Sequence, residues 1–69
     1  MNLQIDYIDE EHLALLQVVY GEDVKATPCD DEGYYTVTIR KAVLVATESG
    51  VYIGGVKFGF SDYGNVIIY

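Results

Sequence analysis

Cysteine, tryptophan, proline and basic residues are all scarce in this chain. Its 69 residues include one Cys, no Trp, one Pro and four Lys or Arg against eleven Asp or Glu, which gives a net charge of −7. The single Cys29 cannot form an internal disulfide, and the N-terminal sequence has neither the basic nor the apolar region of a signal peptide. No apolar run reaches the roughly 18 to 20 residues that cross a bilayer. These absences predict a reduced, cytoplasmic protein without a membrane-spanning segment.

Motifs for catalysis, metals and cofactors are lacking as well. His12 and Cys29 are each the only residue of their kind, and a structural zinc site needs four such ligands. The segment Asp30–Gly33 lacks the alternating ligands and the distant Glu of a calcium loop, so a turn is the better interpretation. Gly54 and Gly55 are not followed by the Lys-Ser/Thr of a phosphate-binding loop. We therefore predict no enzymatic activity, no cofactor and no metal.

The N-terminal third contains a well-marked helix. Asp9 is a good N-cap residue, Glu10 and Glu11 lie in the first turn where the helix dipole favours negative charge, and Gly21 suits the position after the last turn. These signals predict a helix over Glu10–Tyr20. Apolar residues at helical spacing predict its buried stripe. They are Leu13, Leu16, Val19 and Tyr20.

Five further segments have the composition of strands. The longest, Tyr34–Thr47, would span roughly 45 Å if straight, too far for so small a domain, so we expect a bend with a bulge near Arg40 and Lys41. In the segment after it, we interpret Gly54 and Gly55 as points of strand curvature. The predicted strands are Asn2–Tyr7, Val24–Pro28, Tyr34–Thr47, Val51–Phe60 and Val66–Tyr69.

Together these elements predict a single α+β domain over residues 1–69. One N-terminal helix packs on a curved, mainly antiparallel sheet of four to five strands, in the chain order β-α-β-β-β-β. In the first strand, the alternation of Leu3, Ile5 and Tyr7 with polar residues predicts that these three face the core. A chain this short buries only about 60% of its unfolded surface, so association with a partner or a second copy is a real possibility.

Charge is distributed very unevenly along the chain. Residues 1–32 carry nine acidic residues and one basic residue, a sum of −8, whereas residues 33–69 carry two acidic and three basic residues, a sum of +1. A helix of 11 residues is about 17 Å long, and the strand from Val24 covers a similar distance back. The chain should therefore return to where the helix began. This predicts that the start of the helix and the turn at Asp30–Gly33 lie at one end of the molecule.

Eight of the eleven carboxylates should crowd that end, flanked by Tyr34 and Tyr35, whose rings offer contact area at low entropic cost. Acidic residues that served only solubility would be equally effective if they were scattered over the surface. Their expected clustering therefore favours a binding role. The carboxylates are Asp6, Asp9, Glu10, Glu11, Asp30, Asp31, Glu32 and Asp62.

These features favour a small acidic inhibitor or decoy that occupies a basic, nucleic-acid-binding surface of another protein and does not itself bind nucleic acid. In length, charge and class the chain is similar in kind to phage-encoded proteins that block restriction or CRISPR machinery, and to inhibitors of uracil-DNA glycosylase. No residue motif is shared with them. The alternative is a homodimeric structural or assembly protein, because Val43–Val45 and Val66–Tyr69 are apolar on both faces and one helix covers only one face of a sheet.

Overall fold

The computed structural model describes residues 1–59 and 66–69, which form an α+β fold with one α-helix and seven strands. A 3-10 turn, Gly21–Asp23, follows the helix. In the described part of the chain, no helix is both long and apolar enough to span a bilayer. The elements are β1 (Leu3–Asp9), α1 (Glu10–Tyr20), β2 (Val24–Pro28), β3 (Tyr34–Ile39), β4 (Leu44–Thr47), β5 (Gly50–Ile53), β6 (Val56–Phe58) and β7 (Val66–Ile68).

The strands form two antiparallel sheets, one with the order β2-β3-β1-β7 and the other with the order β4-β5-β6. The predicted α+β class, the N-terminal helix and the antiparallel pairing are confirmed, and the predicted order β-α-β-β-β-β fits once two of its strands are each divided in two. β2 lies at an edge of its sheet, where Pro28, which has no N–H to donate, is tolerated. The predicted single sheet is in fact two.

The long segment Tyr34–Thr47 breaks where a bend was expected. β3 ends at Ile39, Lys41 has φ +59°, and β4 begins at Leu44 in the other sheet. At this break, Arg40 binds Asp23, the last residue of the 3-10 turn that follows the helix. The Arg40 N–H donates to the Asp23 carbonyl at 2.9 Å, and the Arg40 guanidinium lies 3.2 Å from the Asp23 carboxylate. The position was predicted correctly, but a change of sheet replaces the expected bulge within one strand.

The interpretation of Gly54 and Gly55 as strand curvature was wrong. They form a two-residue hairpin turn between β5 and β6, closed by the pair Ile53 and Val56, with φ of +59° and +82°. Positive φ at both central positions is the requirement of a type I′ turn, which glycine meets without strain. The predicted end of that strand, Phe60, lies outside the described residues.

One core joins the helix to both sheets. The helix packs on β1, β2 and β3 and also touches β6. Leu13 and Leu16 are buried and Tyr20 is partly buried, as predicted, but Val19 is 49% exposed and so was wrongly assigned to the buried stripe. The buried core consists of Leu3, Ile5, Ile8, Leu13, Leu16, Val37, Ile39, Ala42, Val51, Ile53, Val56 and Phe58.

A bulge in β1 overturns the predicted burial of Tyr7. The register with β3 shifts between Ile5 and Ile8, Tyr7 has φ +59°, and its side chain is 55% exposed. The extra residue changes the parity of the strand, so that Ile8 faces the core instead. Ile8 is then placed to pack next to the helix that begins two residues later.

The tight packing of Tyr20 over Gly54 is testable by substitution. A Cβ at Gly54 would lie 2.6 Å from Tyr20 Cε2, so Gly54→Ala must displace a ring whose hydroxyl accepts a hydrogen bond from the Val43 N–H at 3.1 Å. We expect Gly54→Ala to lower the free energy of unfolding by about 2 kcal/mol or more, combining left-handed strain with loss of that bond. The measurement is urea denaturation followed by circular dichroism.

Gly55→Ala is the matched control for this substitution. Gly55 also has positive φ, but a Cβ there meets nothing within 4 Å. Its expected cost is therefore only the backbone strain, about 1 kcal/mol. Equal losses from the two variants would contradict the packing of Tyr20 on the turn.

Candidate functional site

The candidate site begins at Asp9, which is both the last residue of β1 and the N-cap of α1. Its backbone is extended, with φ −75° and ψ 169°, and its Oδ1 accepts a hydrogen bond from the His12 N–H at 2.8 Å. This bond satisfies one of the amide groups that the first turn of a helix leaves without a partner. In the ladder between β1 and β3, Asp9 lies opposite Tyr34. The start of the helix is therefore joined directly to the start of β3.

The acidic turn between β2 and β3 closes immediately before that point. The Cys29 N–H donates to the Tyr34 carbonyl at 2.9 Å, and the Tyr34 N–H donates to the Asp31 carbonyl at 3.3 Å. Gly33 has φ +87°, a conformation that glycine adopts readily. Because Tyr34 pairs with Asp9 on its other side, the carboxylates of the turn are held next to those of the helix.

The two acidic segments share a concave surface, as the charge pattern predicted. A shallow, open depression of about 600 Å³ is lined by residues of both segments. An adjoining depression shares Glu10, Glu32 and Tyr34 with the first and adds Asp30 and Asp31. Neither lining includes a Lys or Arg of the described residues. We call this surface the acidic end, and it comprises Asp9, Glu10, Glu11, Asp30, Asp31 and Glu32.

The two tyrosines flank the acidic end from opposite faces of the sheet. Tyr35 points toward the helix, where its hydroxyl donates to Glu10 Oε1 at 3.3 Å. Tyr34, 44% exposed, points to the other face and makes an edge contact with Tyr7, with ring centroids 6.2 Å apart. Both rings are thus positioned beside the carboxylates, as expected from the sequence.

Two of the predicted site residues, Asp6 and Asp62, are not part of the acidic end as defined here. Asp6 lies on the sheet face that points away from the helix and accepts a hydrogen bond from Thr36 Oγ1 at 3.1 Å. It lines neither depression of the acidic end. Asp62 lies outside the described residues.

Two groups of the site have perturbed acidities. The pKa of Asp9 is lowered from its ordinary 3.8, chiefly because its carboxylate accepts the His12 backbone N–H and also contacts His12 Nδ1 at 2.8 Å. The pKa of the Tyr35 hydroxyl is raised from 10.0, mainly because the nearby Glu10 carboxylate opposes a second negative charge. Asp9 therefore stays ionised to a lower pH than an ordinary Asp, and Tyr35 stays a neutral donor to a higher pH than an ordinary Tyr.

The residues weighed as a nucleophile and base contact different partners. His12 bonds Asp9 and stacks against Phe58 at a centroid distance of 5.0 Å. Cys29 Sγ lies 3.6 Å from Thr36 Oγ1, and within the described residues no contact joins it to His12. The described residues contain no group of three or more His, Cys, Asp or Glu that could hold a metal ion. What the site offers chemically is a set of clustered carboxylates.

Three features of the site were missed at the level of sequence. The contact of His12 with Asp9 had a signal, since His occupies the third helical position, where a side chain reaches back to the N-cap. The sequence contained a weaker signal that the Tyr7 side chain points outward, because Ile8 breaks the period-two pattern. The bond from Tyr35 to Glu10 had none, since it joins residues 25 positions apart.

No family model, no curated protein and no solved structure matches this chain.

The role of Asp9 in stability can be tested by pH. Because its pKa is lower in the folded state than its ordinary 3.8, this carboxylate contributes stability above about pH 4 that is lost as the pH falls through its folded pKa. Asn caps helices as well as Asp but does not titrate. We therefore expect Asp9→Asn to change the melting temperature little at pH 7 and to lose less stability than the wild type between pH 5 and pH 2. Identical acid losses in both proteins would contradict this contribution.

The Tyr35 contact can be tested by titrating its ring. Glu10→Gln removes the charge that raises the pKa, so the Tyr35 pKa should fall toward 10.0. Ring proton shifts followed by NMR against pH measure it residue by residue. Glu11→Gln is the matched control, which removes the neighbouring charge and should lower the Tyr35 pKa less. If the two variants moved the Tyr35 pKa equally, the specific bond to Glu10 would be excluded.

Proposed function

We propose that this protein is an acidic binding module that occupies a basic, nucleic-acid-binding surface of another protein and thereby inhibits it. The observation that supports the proposal is the acidic end, in which two segments some 20 positions apart in sequence line one open concave surface. The acidic end is the contact surface, and the protein makes no direct contact with nucleic acid.

Concentrated charge of one sign suits this role. Six carboxylates on one end of a small molecule produce a directional field, which speeds encounter with a basic surface and repels nucleic acid. A surface built to hold phosphates attracts other anions for the same reason. The carboxylates repel one another, so their clustering costs stability, and a binding role accounts for a cost that solubility alone would not require.

The fold holds part of this surface in place. The backbone of Asp9 is held by the strand pairing and the helix cap, and Glu10 is bonded to Tyr35. A surface with ordered backbone loses less conformational entropy on binding than a disordered acidic tail. Tyr34 and Tyr35 add apolar contact at the rim, where aromatic rings are favoured in interfaces.

A second candidate function is a homodimeric assembly role without enzymatic activity. One observation favours it: large apolar side chains remain exposed away from the acidic end, with Val43 at 62%, Val45 at 52% and Tyr69 at 62%. The two roles are compatible, because they use different surfaces.

The proposal is tested by capture and competition. The immobilised protein is exposed to an extract of its source cells, and captured proteins are identified by mass spectrometry. We expect nucleic-acid-binding proteins, released by duplex DNA and bound with an affinity that falls steeply as salt rises. The proposal would be refuted if duplex DNA did not release the captured proteins and their affinity did not fall as salt rises.

Two variants with equal charge separate the acidic end from net charge. Asp31→Asn with Glu32→Gln and Glu22→Gln with Glu48→Gln each change the net charge from −7 to −5. We expect the first pair to weaken binding of the captured protein at least about tenfold, since each interfacial carboxylate lost costs on the order of 1 kcal/mol or more. The second pair should weaken it only slightly. Equal losses would assign the effect to overall charge and contradict a localised site.

A further inference from the structure

The solvent face of α1 is apolar, although a surface helix normally turns polar residues toward water. Leu13 and Leu16 are buried in the core. On the opposite side of the helix, Leu15 is 48% exposed, Val18 is 84% exposed, and Ala14 is exposed as well. We call Ala14, Leu15 and Val18 the apolar face of α1.

The helix itself gains little from these exposed apolar residues. Val is β-branched and forms helices less readily than Leu, Gln or Ala, so Val18 and its neighbour Val19 lower the helix propensity of the last turn. Val19 is 49% exposed and Val18 more so, and the burial that would offset this cost is therefore incomplete. An exposed apolar surface bordered by polar residues is typical of a contact with another molecule.

The apolar face is continuous with the acidic end. Glu11 belongs to the acidic end and lines its depression. Leu15 and Val18 follow Glu11 by four and seven residues, and at 3.6 residues per turn this spacing places the three side chains in one row along the helix. A partner bound at the acidic end can therefore extend directly onto the apolar face.

Charge selects the kind of partner that fits this face. Residues 10–23 include Glu10, Glu11, Glu22 and Asp23 but no Lys or Arg. Two copies that met through α1 would bring these carboxylates together without a basic residue of either helix between them, and each copy has a net charge of −7. A basic protein is instead attracted by Glu10 and Glu11. The charge therefore favours a basic partner over a second copy of this chain.

The shape of the apolar face suits a helix of that partner. Side chains three and four residues apart form ridges on a helix, and these ridges fit the grooves of a second helix. Leu15 and Val18 form such a ridge, and the small Ala14 beside them lets a second helix approach closely. An amphipathic helix matches this surface because its own apolar residues recur at the same spacing.

We propose that the apolar face of α1 binds an amphipathic helix of the basic partner. Apolar side chains of that helix pack on Leu15 and Val18, and Lys or Arg residues at one of its ends bind Glu10 and Glu11. This inference rests on the proposed function for the basic character of the partner. It adds a second contact surface and the secondary structure of the segment that the surface recognises.

A model peptide tests the contact without an identified partner. The probe is a synthetic helical peptide of about 15 residues with Leu along one face and Lys on the other, and the control peptide has the same composition with Leu spread around the helix. Titration of the isotope-labelled protein, followed by NMR, gives both the affinity and the site. We expect the probe to bind at least about tenfold more tightly than the control and to shift the amide signals of Leu15 and Val18. Equal affinities, or shifts confined to the acidic turn, would overturn the proposal.

Val18→Gln tests the same face by substitution. Gln forms helices more readily than Val, so the variant should fold, which circular dichroism verifies. We expect it to weaken binding of the Leu-Lys probe about tenfold, because one apolar side chain is no longer buried against the peptide. Ile67→Gln is the matched control. Ile67 is also apolar and 53% exposed, but it pairs with Gln4 on the sheet face that points away from the helix. Equal effects of the two substitutions would contradict a contact at α1.

Two other occupants of the apolar face are distinguished by separate measurements. We expect Val18→Gln to leave the sedimentation coefficient of the protein unchanged, and we expect no binding of the protein to phosphatidylcholine vesicles. A dimer that Val18→Gln dissociates would assign the face to a second copy. Vesicle binding that the same substitution abolishes would assign it to a lipid surface. Either result overturns the proposal.

Binding of the captured protein separates this inference from the proposed function. Val18→Gln is compared with Asp31→Asn combined with Glu32→Gln, and we expect both variants to bind the captured protein more weakly. If only the acidic pair weakens binding, the helix contact is overturned and the proposed function stands. If only Val18→Gln weakens it, the helix contact stands and the acidic end is not the contact surface. If neither variant weakens it, both proposals are overturned.

Discussion

The pairing of β1 with β3 is the interaction on which both the core and the acidic end depend. These are the two inner strands of the larger sheet, and their inward side chains supply much of the core, including Leu3, Ile5, Val37 and Ile39. The last step of the same ladder joins Asp9 to Tyr34. Because Asp9 also caps the helix, a single register positions the core, the helix start and the acidic turn together.

The molecule has two chemically different ends as a consequence. β1 starts beside Ala42 and the break between the sheets, and it finishes at the acidic end. Repulsion among six carboxylates opposes folding in a chain whose total stability is only a few to about ten kcal/mol. Two of these carboxylates also make stabilising hydrogen bonds: Asp9 caps the helix, and Glu10 accepts a bond from the Tyr35 hydroxyl.

Local signals predicted the helix from Glu10 to Tyr20, the turn after Pro28 and the place where the long segment bends. Each depends on capping, turn chemistry or chain length, which act within a few residues. The failures had two causes. The exposure of Val19 depends on which surfaces distant elements cover, and helical periodicity contains no information about that. The outward turn of Tyr7 and the type I′ turn at Gly54 and Gly55 did have local signals, in Ile8 and in the pair of glycines, but the strand pattern around them was given more weight. For the candidate site, element lengths predicted that the two acidic segments meet, but not that Asp6 would be held by Thr36 outside the shared surface.

The sequence by itself determined the imbalance of charge, the α+β class and the bounds of its helix, because composition and short-range backbone preferences are properties of the chain alone. Only the tertiary structure decided that the strands divide into two sheets, because the break at Arg40 is held by Asp23, a residue 17 positions earlier. It likewise decided which backbone groups of β4 have partners among the described residues. Whether a strand's outward N–H and C=O groups find partners depends on pairing across the whole fold, and at β4 that pairing stops at Ala42 and Met1.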